Sequence, residues 1–170
     1  MDLKKFIRDI PDFPKPGIIF KDLTPLLKDR DAFATAIDHL ARHYQGTRLT
    51  AIAGIESRGF IIGSALALTL RTGFLPLRKP GKLPYKTIRQ EYSLEYGTDA
   101  IEIHQDAIAP GDRILLVDDL LATGGTARAG AELIRRLGGE LAGIAFLIEL
   151  AFLKGRERLA GEQVFSLLTF

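Results

Sequence analysis

The sequence predicts an α/β fold, a central, mostly parallel sheet flanked by helices, on three observations. Apolar runs of strand length alternate with segments whose apolar residues recur at helical spacing. Such alternation implies right-handed βαβ units and therefore parallel strands. One junction, Ile114–Arg128 (ILLVDDLLATGGTAR), passes from a buried strand through two carboxylates and a small-residue loop into a helix. With 170 residues, 46% hydrophobic and 26% charged, the chain reads as one domain, 1–170.

The elements follow in order. Asp9–Ile19, with Pro11, Pro14 and Pro16, reads as an extended segment within a small N-terminal hood of about residues 1–30. Phe33, Ile37, Leu40, Ala41 and Tyr44 fall on one helical face after start signals at Asp29–Asp31. Leu49–Ile55 reads as a strand, Phe60–Leu70 as a helix and Gly73–Leu77 as a second strand. Between Pro80 and Pro110 the pattern breaks: Ser93–Tyr96 and Ala100–Ile103 read as short antiparallel strands around Gly97-Thr98. An insertion of this kind in a compact α/β domain is usually functional. Gly111–Val117 is a third strand and Thr126–Leu137 a helix that Gly138-Gly139 stops, before a fourth strand at Leu141–Leu150.

Composition narrows the function classes. A net charge of +2, with basic residues gathered only at Arg78–Lys86, gives no nucleic-acid face. No apolar stretch follows a basic head, and Thr69 and Arg71 cut short the patch at Leu66–Leu68, so neither a secretory leader nor a membrane span is expected. Zero cysteines excludes disulfides and thiol catalysis and suits a cytoplasmic enzyme.

The Ile114–Arg128 stretch carries most of the chemistry. Backbone N–H groups of the loop Ala122, Thr123, Gly124, Gly125 and Thr126, with two threonine hydroxyls, can wrap a phosphate at a helix N-terminus. Asp118 and Asp119 then lie about one sugar away, able to bind vicinal hydroxyls directly or through a divalent cation. A plain acidic turn would leave that pair unexplained, because carboxylates repel a bare phosphate. Arg58 opens a helix, where the dipole disfavours a cation unless an anion is bound there. Glu102, in the run Ala100–Ile103, points opposite to Ile101 and Ile103, and by itself reads as an exposed strand residue. His39 and His43 are four apart but lack a third ligand, and His104 has no assigned role.

These residues resemble the signature of type I phosphoribosyltransferases, which bind 5-phosphoribosyl-1-diphosphate (PRPP). Asp12–Asp22 (DFPKPGIIFKD), Gly54–Phe60 (GIESRGF) and Arg78–Glu102 narrow the resemblance to the branch acting on adenine, across nearly the whole chain. The resemblance implies the type I fold with a flexible hairpin lid at about residues 78–104, a homodimer, Mg²⁺ as cofactor, and the salvage reaction adenine + PRPP to AMP + pyrophosphate. It puts the 5′-phosphate on Ala122–Thr126 and the ribose on Asp118 and Asp119, which also touch the metal through ribose or water. Arg58, Arg78, Lys79 and Lys82 would take the pyrophosphate, Arg78 either within its own subunit or across the dimer in the other's site. Glu102 would be the general acid/base, Phe20 the stacking platform, and the main chains of Ile19 and Lys21 the readers of the base. Tyr96 belongs to the lid, Tyr85 and Lys86 receive no role, and the Glu56–Ser57 peptide would be cis. Because Arg78, Lys79, Lys82, Lys86 and Arg89 crowd one segment, mutual repulsion is expected to let the empty lid sample many conformations until a ligand orders it. Two rivals stand beside this reading: a phosphoribosyltransferase for xanthine, hypoxanthine or orotate, and a PRPP-sensing regulator of the same fold.

Overall fold

A computed structural model describes residues 1–94 and 97–170; Tyr96, assigned to the lid, lies with Glu95 outside the described residues. In chain order the elements are β1 (Arg8–Pro11), β2 (Ile19–Asp22), α1 (Thr24–Lys28), α2 (Arg30–Tyr44), β3 (Ala51–Ile55), α3 (Arg58–Leu70), β4 (Gly73–Leu77), β5 (Thr87–Ser93) and β6 (Thr98–His104). They continue with β7 (Arg113–Leu121), α4 (Gly125–Arg136), β8 (Glu140–Glu149), α5 (Gly155–Arg158) and β9 (Val164–Thr169). Five parallel strands form the central sheet in the order β4-β3-β7-β8-β9.

Strand alternation divides the core into two layers. Leu115 and Val117 of β7, with Ala145 and Leu147 of β8, face α2 and α3. Ile114 and Leu116, with Ile144 and Phe146, face Ala127, Leu133 and Ile134 of α4 and Ile101 and Ile103 of β6. Both faces are covered, which is why these strands read as unbroken apolar runs. Helix α2 begins where the sequence indicates, with the Asp29 carboxylate accepting from the N–H groups of Asp31 and Ala32.

The structure corrects three boundaries. The extended Asp9–Ile19 segment is the middle of a hairpin, β1 pairing antiparallel with β2 and the later prolines filling the connection. Strand β7 continues past Val117 to Leu121, so the acidic pair lies within the strand, held by pairing of Asp118 with Phe146 and Leu120 with Ile148. The antiparallel insertion is longer than the pattern indicates: β5 begins at Thr87 and pairs with β6 from Thr87↔His104 to Ser93↔Thr98. Its root is part of the core, with Ala100, Ile101 and Ile103 fully buried. Strand β9 and helix α5 were not anticipated at all.

Candidate functional site

The carboxyl ends of β3 and β7 lie side by side, Gly54 opposite Val117, and this brings the Glu56–Arg58 turn against the acidic pair. The first turn of α3 approaches so closely that a Cβ on Gly59 would stand 2.9 Å from Asp118 Oδ1. The Glu56–Ser57 peptide is cis, as the resemblance implies. Beyond β7 a small cavity of about 80 Å³ is lined by Asp118, Leu120, Phe146 and the loop 122–126. Gly124 caps α4 at φ +84°, a left-handed conformation that leaves the first N–H groups of the helix facing the loop. An anion there would meet both free donors and the positive helix end.

The two aspartates differ. Asp119 is 6% exposed; its Oδ2 lies 2.8 Å from Arg58 Nε, but not along a hydrogen-bonding direction, and has no other partner among the described residues. Asp118 Oδ1 accepts the Asp119 N–H at 2.8 Å. Desolvation, followed by the charge of Asp119, pushes the Asp118 carboxyl well above the usual carboxylate range, Arg58 offsetting part of this. Two adjacent carboxylates, one with an unsatisfied buried oxygen, suit a ligand that brings hydroxyl donors or a hard cation. Among the described residues no group of three His, Cys, Asp or Glu is placed to hold a metal, so a cation would share its ligands with substrate oxygens and water.

Phe20 faces the same corner. Its ring lies edge-on to Phe13 at 5.2 Å between centroids, and the Arg58 guanidinium sits 5.3 Å from its centre. Pro11, opposite Ile19, has no N–H to give, so that pair cannot exchange both ladder bonds. Among the described residues β2 pairs only with β1, so its other backbone edge has no strand partner. The Lys21 side chain is turned away from Phe20, onto Asp9 at 2.7 Å and the Phe170 ring at 4.3 Å. What β2 offers beside Phe20 is its backbone edge. A larger cavity of about 670 Å³, mostly apolar, opens between Ile19 and Lys21, Leu94 of the β5–β6 turn, Thr123 of the loop, and Leu153 and Phe170.

The crowded cations do not repel one another freely. Glu56, whose side chain is 6% exposed, receives Arg78 Nε at 2.7 Å and Lys82 Nζ at 2.9 Å. Against the burial that would raise it, these hydrogen bonds hold the Glu56 carboxyl below its ordinary range. Lys79 binds Asp99 and the Tyr92 hydroxyl, and Arg89 pairs with Glu91. Each of these four cations already has a carboxylate, so the expectation that uncompensated like charge loosens this segment is corrected. Glu56 and Asp99, as the carboxylates that hold Arg78, Lys79 and Lys82, are the site features that sequence reading missed, because partners 20 to 26 residues apart leave no periodic trace.

Glu102 sits at the root of this loop. Its backbone bridges that of Arg78 in both directions, at 3.0 and 2.7 Å, and its carboxylate accepts the Gly81 N–H at 3.2 Å. Its side chain is half-buried between buried Ile101 and Ile103, as the alternation predicts. The histidines are accounted for without a metal: His43 stacks on Phe165 with 3.8 Å between ring centres, His104 accepts the Tyr85 N–H, and His39 is exposed.

A second wall of the site was also missed. Glu149, at the end of β8, is gripped by Arg156 through bonds of 2.8 to 3.0 Å, and Arg156 also donates to the Val164 carbonyl. This pair fixes the turn Ala151–Leu153 and α5 against the side of the sheet that carries the loop 122–126.

The phosphoribosyl transferase domain matches residues 26–163. A relative from Halothermothrix orenii, an adenine phosphoribosyltransferase, is 64% identical over 168 residues, covering 99% of each chain. The chain belongs to the adenine phosphoribosyltransferase family. The solved adenine phosphoribosyltransferase of Thermoanaerobacter pseudethanolicus matches at a TM-score of 0.97 with 54% identity, over 99% of this chain and 98% of that one. The Saccharomyces cerevisiae enzyme, complexed with adenine and an imino-altritol bisphosphate, matches at 0.93 with 42% identity, over 98% and 97%. The fold expected of a type I phosphoribosyltransferase is therefore the fold observed.

Proposed function

We propose that this enzyme transfers the phosphoribosyl group of PRPP to N9 of adenine, yielding AMP and pyrophosphate, and so serves purine salvage in the cytoplasm. One observation carries the reading. The aromatic platform Phe20, with the free backbone edge of β2 beside it, is separated from the acidic pair only by the Arg58 side chain. Base, ribose and phosphate surfaces thus follow one another in the order of a nucleotide's parts.

In the reaction the N9 lone pair of adenine bonds to C1 of the ribose as the C1–O bond to pyrophosphate breaks. Loop residues 122–126 hold the 5′-phosphate, and Asp118 and Asp119 bind the ribose hydroxyls, fixing C1 in line with N9. Arg78, Lys79 and Lys82 exchange Glu56 and Asp99 for the leaving diphosphate, while Arg58 moves off Phe20 as the base stacks there. Glu102 takes the proton that the imidazole edge of the base sheds, restoring a neutral purine in the product. The acidic pair, through substrate oxygens and water, would also hold Mg²⁺, which supplies charge neutralisation for the departing pyrophosphate.

N–H and C=O groups on the free edge of β2 suit a ring edge with both an acceptor nitrogen and an amino donor, the pattern of a 6-aminopurine. A second copy of the chain would cover Ile61 and Leu68 on α3, which are 42% and 82% exposed. The test is an assay with PRPP, Mg²⁺ and labelled adenine, hypoxanthine, guanine or orotate. Turnover of adenine alone is expected; a 6-oxopurine or orotate turned over equally well would sink the base assignment.

A further inference from the structure

Helix α5 and the phosphate loop are built into each other. A Cβ on Gly155 would stand 2.3 Å from the Ala122 carbonyl oxygen, and one on Gly124 2.5 Å from the Gly155 carbonyl oxygen. The Glu149–Arg156 grip holds α5 in that position. Arg158, the last residue of α5, lines both the apolar cavity beside β2 and a second cleft next to Gly125, but not the small cavity of the phosphate loop. A Cβ on Gly125 would meet Arg158 Nη1 at 3.2 Å, the Tyr92 ring at 3.4 Å and the Ser93 carbonyl oxygen at 3.6 Å. Loop, α5 and hairpin strand β5 therefore converge on one glycine.

The groups around this corner sort themselves by charge. Glu91 and Glu132 line the same cleft of about 390 Å³ as Arg158, but Arg89 and Arg128 already hold them. Arg158 is left beside the loop and the Ser93 carbonyl. The Tyr92 hydroxyl, on the same strand, bonds Lys79, a cation assigned to the pyrophosphate. One strand thus joins the 5′-phosphate end of the site to its pyrophosphate end, and Arg158 stands at the joint.

We propose that Arg158 is a positioning residue that ties β5 to the phosphate loop, so that a phosphate bound in the loop sets where the hairpin lies over the site. The proposal rests on the reading of residues 122–126 as the phosphate site. A dianion in the loop draws the guanidinium towards the loop from its far side, without contact, and the planar fork keeps donors free for the Ser93 carbonyl. Phosphate binding and hairpin placement are then coupled, and coupling of this kind runs from about fivefold upward.

Ribose 5-phosphate tests this because it fills the loop without a base or a diphosphate. Trypsin cleavage at Lys86 and Arg89 is timed with and without it, and its binding is measured separately by calorimetry. In the wild type, cleavage should slow about fivefold or more. Arg158→Ala should bind ribose 5-phosphate with unchanged melting temperature yet lose the protection, and its kcat with adenine and PRPP should fall. Arg158→Lys should restore part of both. Equal protection in Arg158→Ala overturns the proposal, as does an unprotected wild type; loss of ribose 5-phosphate binding in Arg158→Ala would make Arg158 a ligand contact instead and overturns it as well. Failure of the base assignment would appear elsewhere, as absent adenine turnover by the wild type, and would leave the ribose 5-phosphate result standing.

Discussion

Glu102 has a structural tie besides the proton transfer proposed for it, and the two can be separated by one substitution. Its carboxylate accepts the Gly81 N–H and so steadies the turn that carries Arg78, Lys79 and Lys82. Glu102→Gln keeps an acceptor for that N–H but loses the ionisable group. The expected result is a kcat lower by roughly 10²-fold, the usual contribution of a positioned acid or base, with little change in melting temperature. Near-wild-type kcat would return Glu102 to an ordinary strand residue. At this scale, what the sequence made legible was what lies close along the chain. The acidic pair and the loop 122–126 form one continuous stretch, so their joint chemistry could be read directly. Glu56 could not be read that way: its worth comes from Arg78 and Lys82, 22 and 26 residues on, which only folding brings to it. The role of Phe20 came from family resemblance, since a half-buried phenylalanine beside prolines has no distinctive pattern of its own.

Elements were legible where burial is two-sided or periodic. Strands β3 and β7 carry unbroken apolar runs because helices cover both faces, and α2 shows a full amphipathic stripe with its cap. Strand β9 is an edge strand of half-buried residues, and the β1–β2 hairpin is mostly exposed, so neither leaves a strong pattern. Helix α5 has four residues and owes its place to tertiary contacts, above all the Glu149–Arg156 grip. Arg156→Met leaves Glu149, 7% exposed, without its counter-charge. The cost should stay below the about 3–5 kcal/mol of breaking a fully buried pair, because the Arg156 side chain is 49% exposed and partly screened. The urea midpoint should fall, and Glu149→Gln with Arg156→Met should recover part of the loss by removing the stranded charge. A single variant as stable as the wild type would show that packing alone holds α5. Adenine KM should rise in it, because Leu150, Phe152 and Leu153 line the apolar cavity beside β2.

Across the whole molecule, two kinds of carboxyl set the pH dependence of stability with opposite signs. Hydrogen bonds from the Thr24 backbone and from Arg8 lower the Asp22 pKa from its ordinary 3.8 to about 2, and Glu56, Asp99 and Glu149 are likewise held low. Each of these binds its proton more weakly in the folded than in the unfolded chain. Their contribution is complete above the unfolded values and is lost as pH falls through the folded ones, so acid unfolding should set in below about pH 4. Asp118 runs the other way: its raised pKa means that the folded chain binds that proton more tightly than the unfolded one. Above its folded pKa the empty enzyme therefore carries a stability cost, which fades as pH falls through that raised value towards 3.8 and is gone below it. Asp118→Asn removes the cost while keeping an oxygen for the Asp119 N–H. The variant should melt higher than the wild type at neutral pH, by a margin that shrinks as the medium is acidified, and should bind PRPP more weakly in calorimetry. Strain of this kind at a binding site is the usual trade of stability for function. A variant that melts lower at neutral pH, or one that keeps wild-type PRPP affinity, would show that the Asp118 carboxylate is there for the fold and not for the ribose.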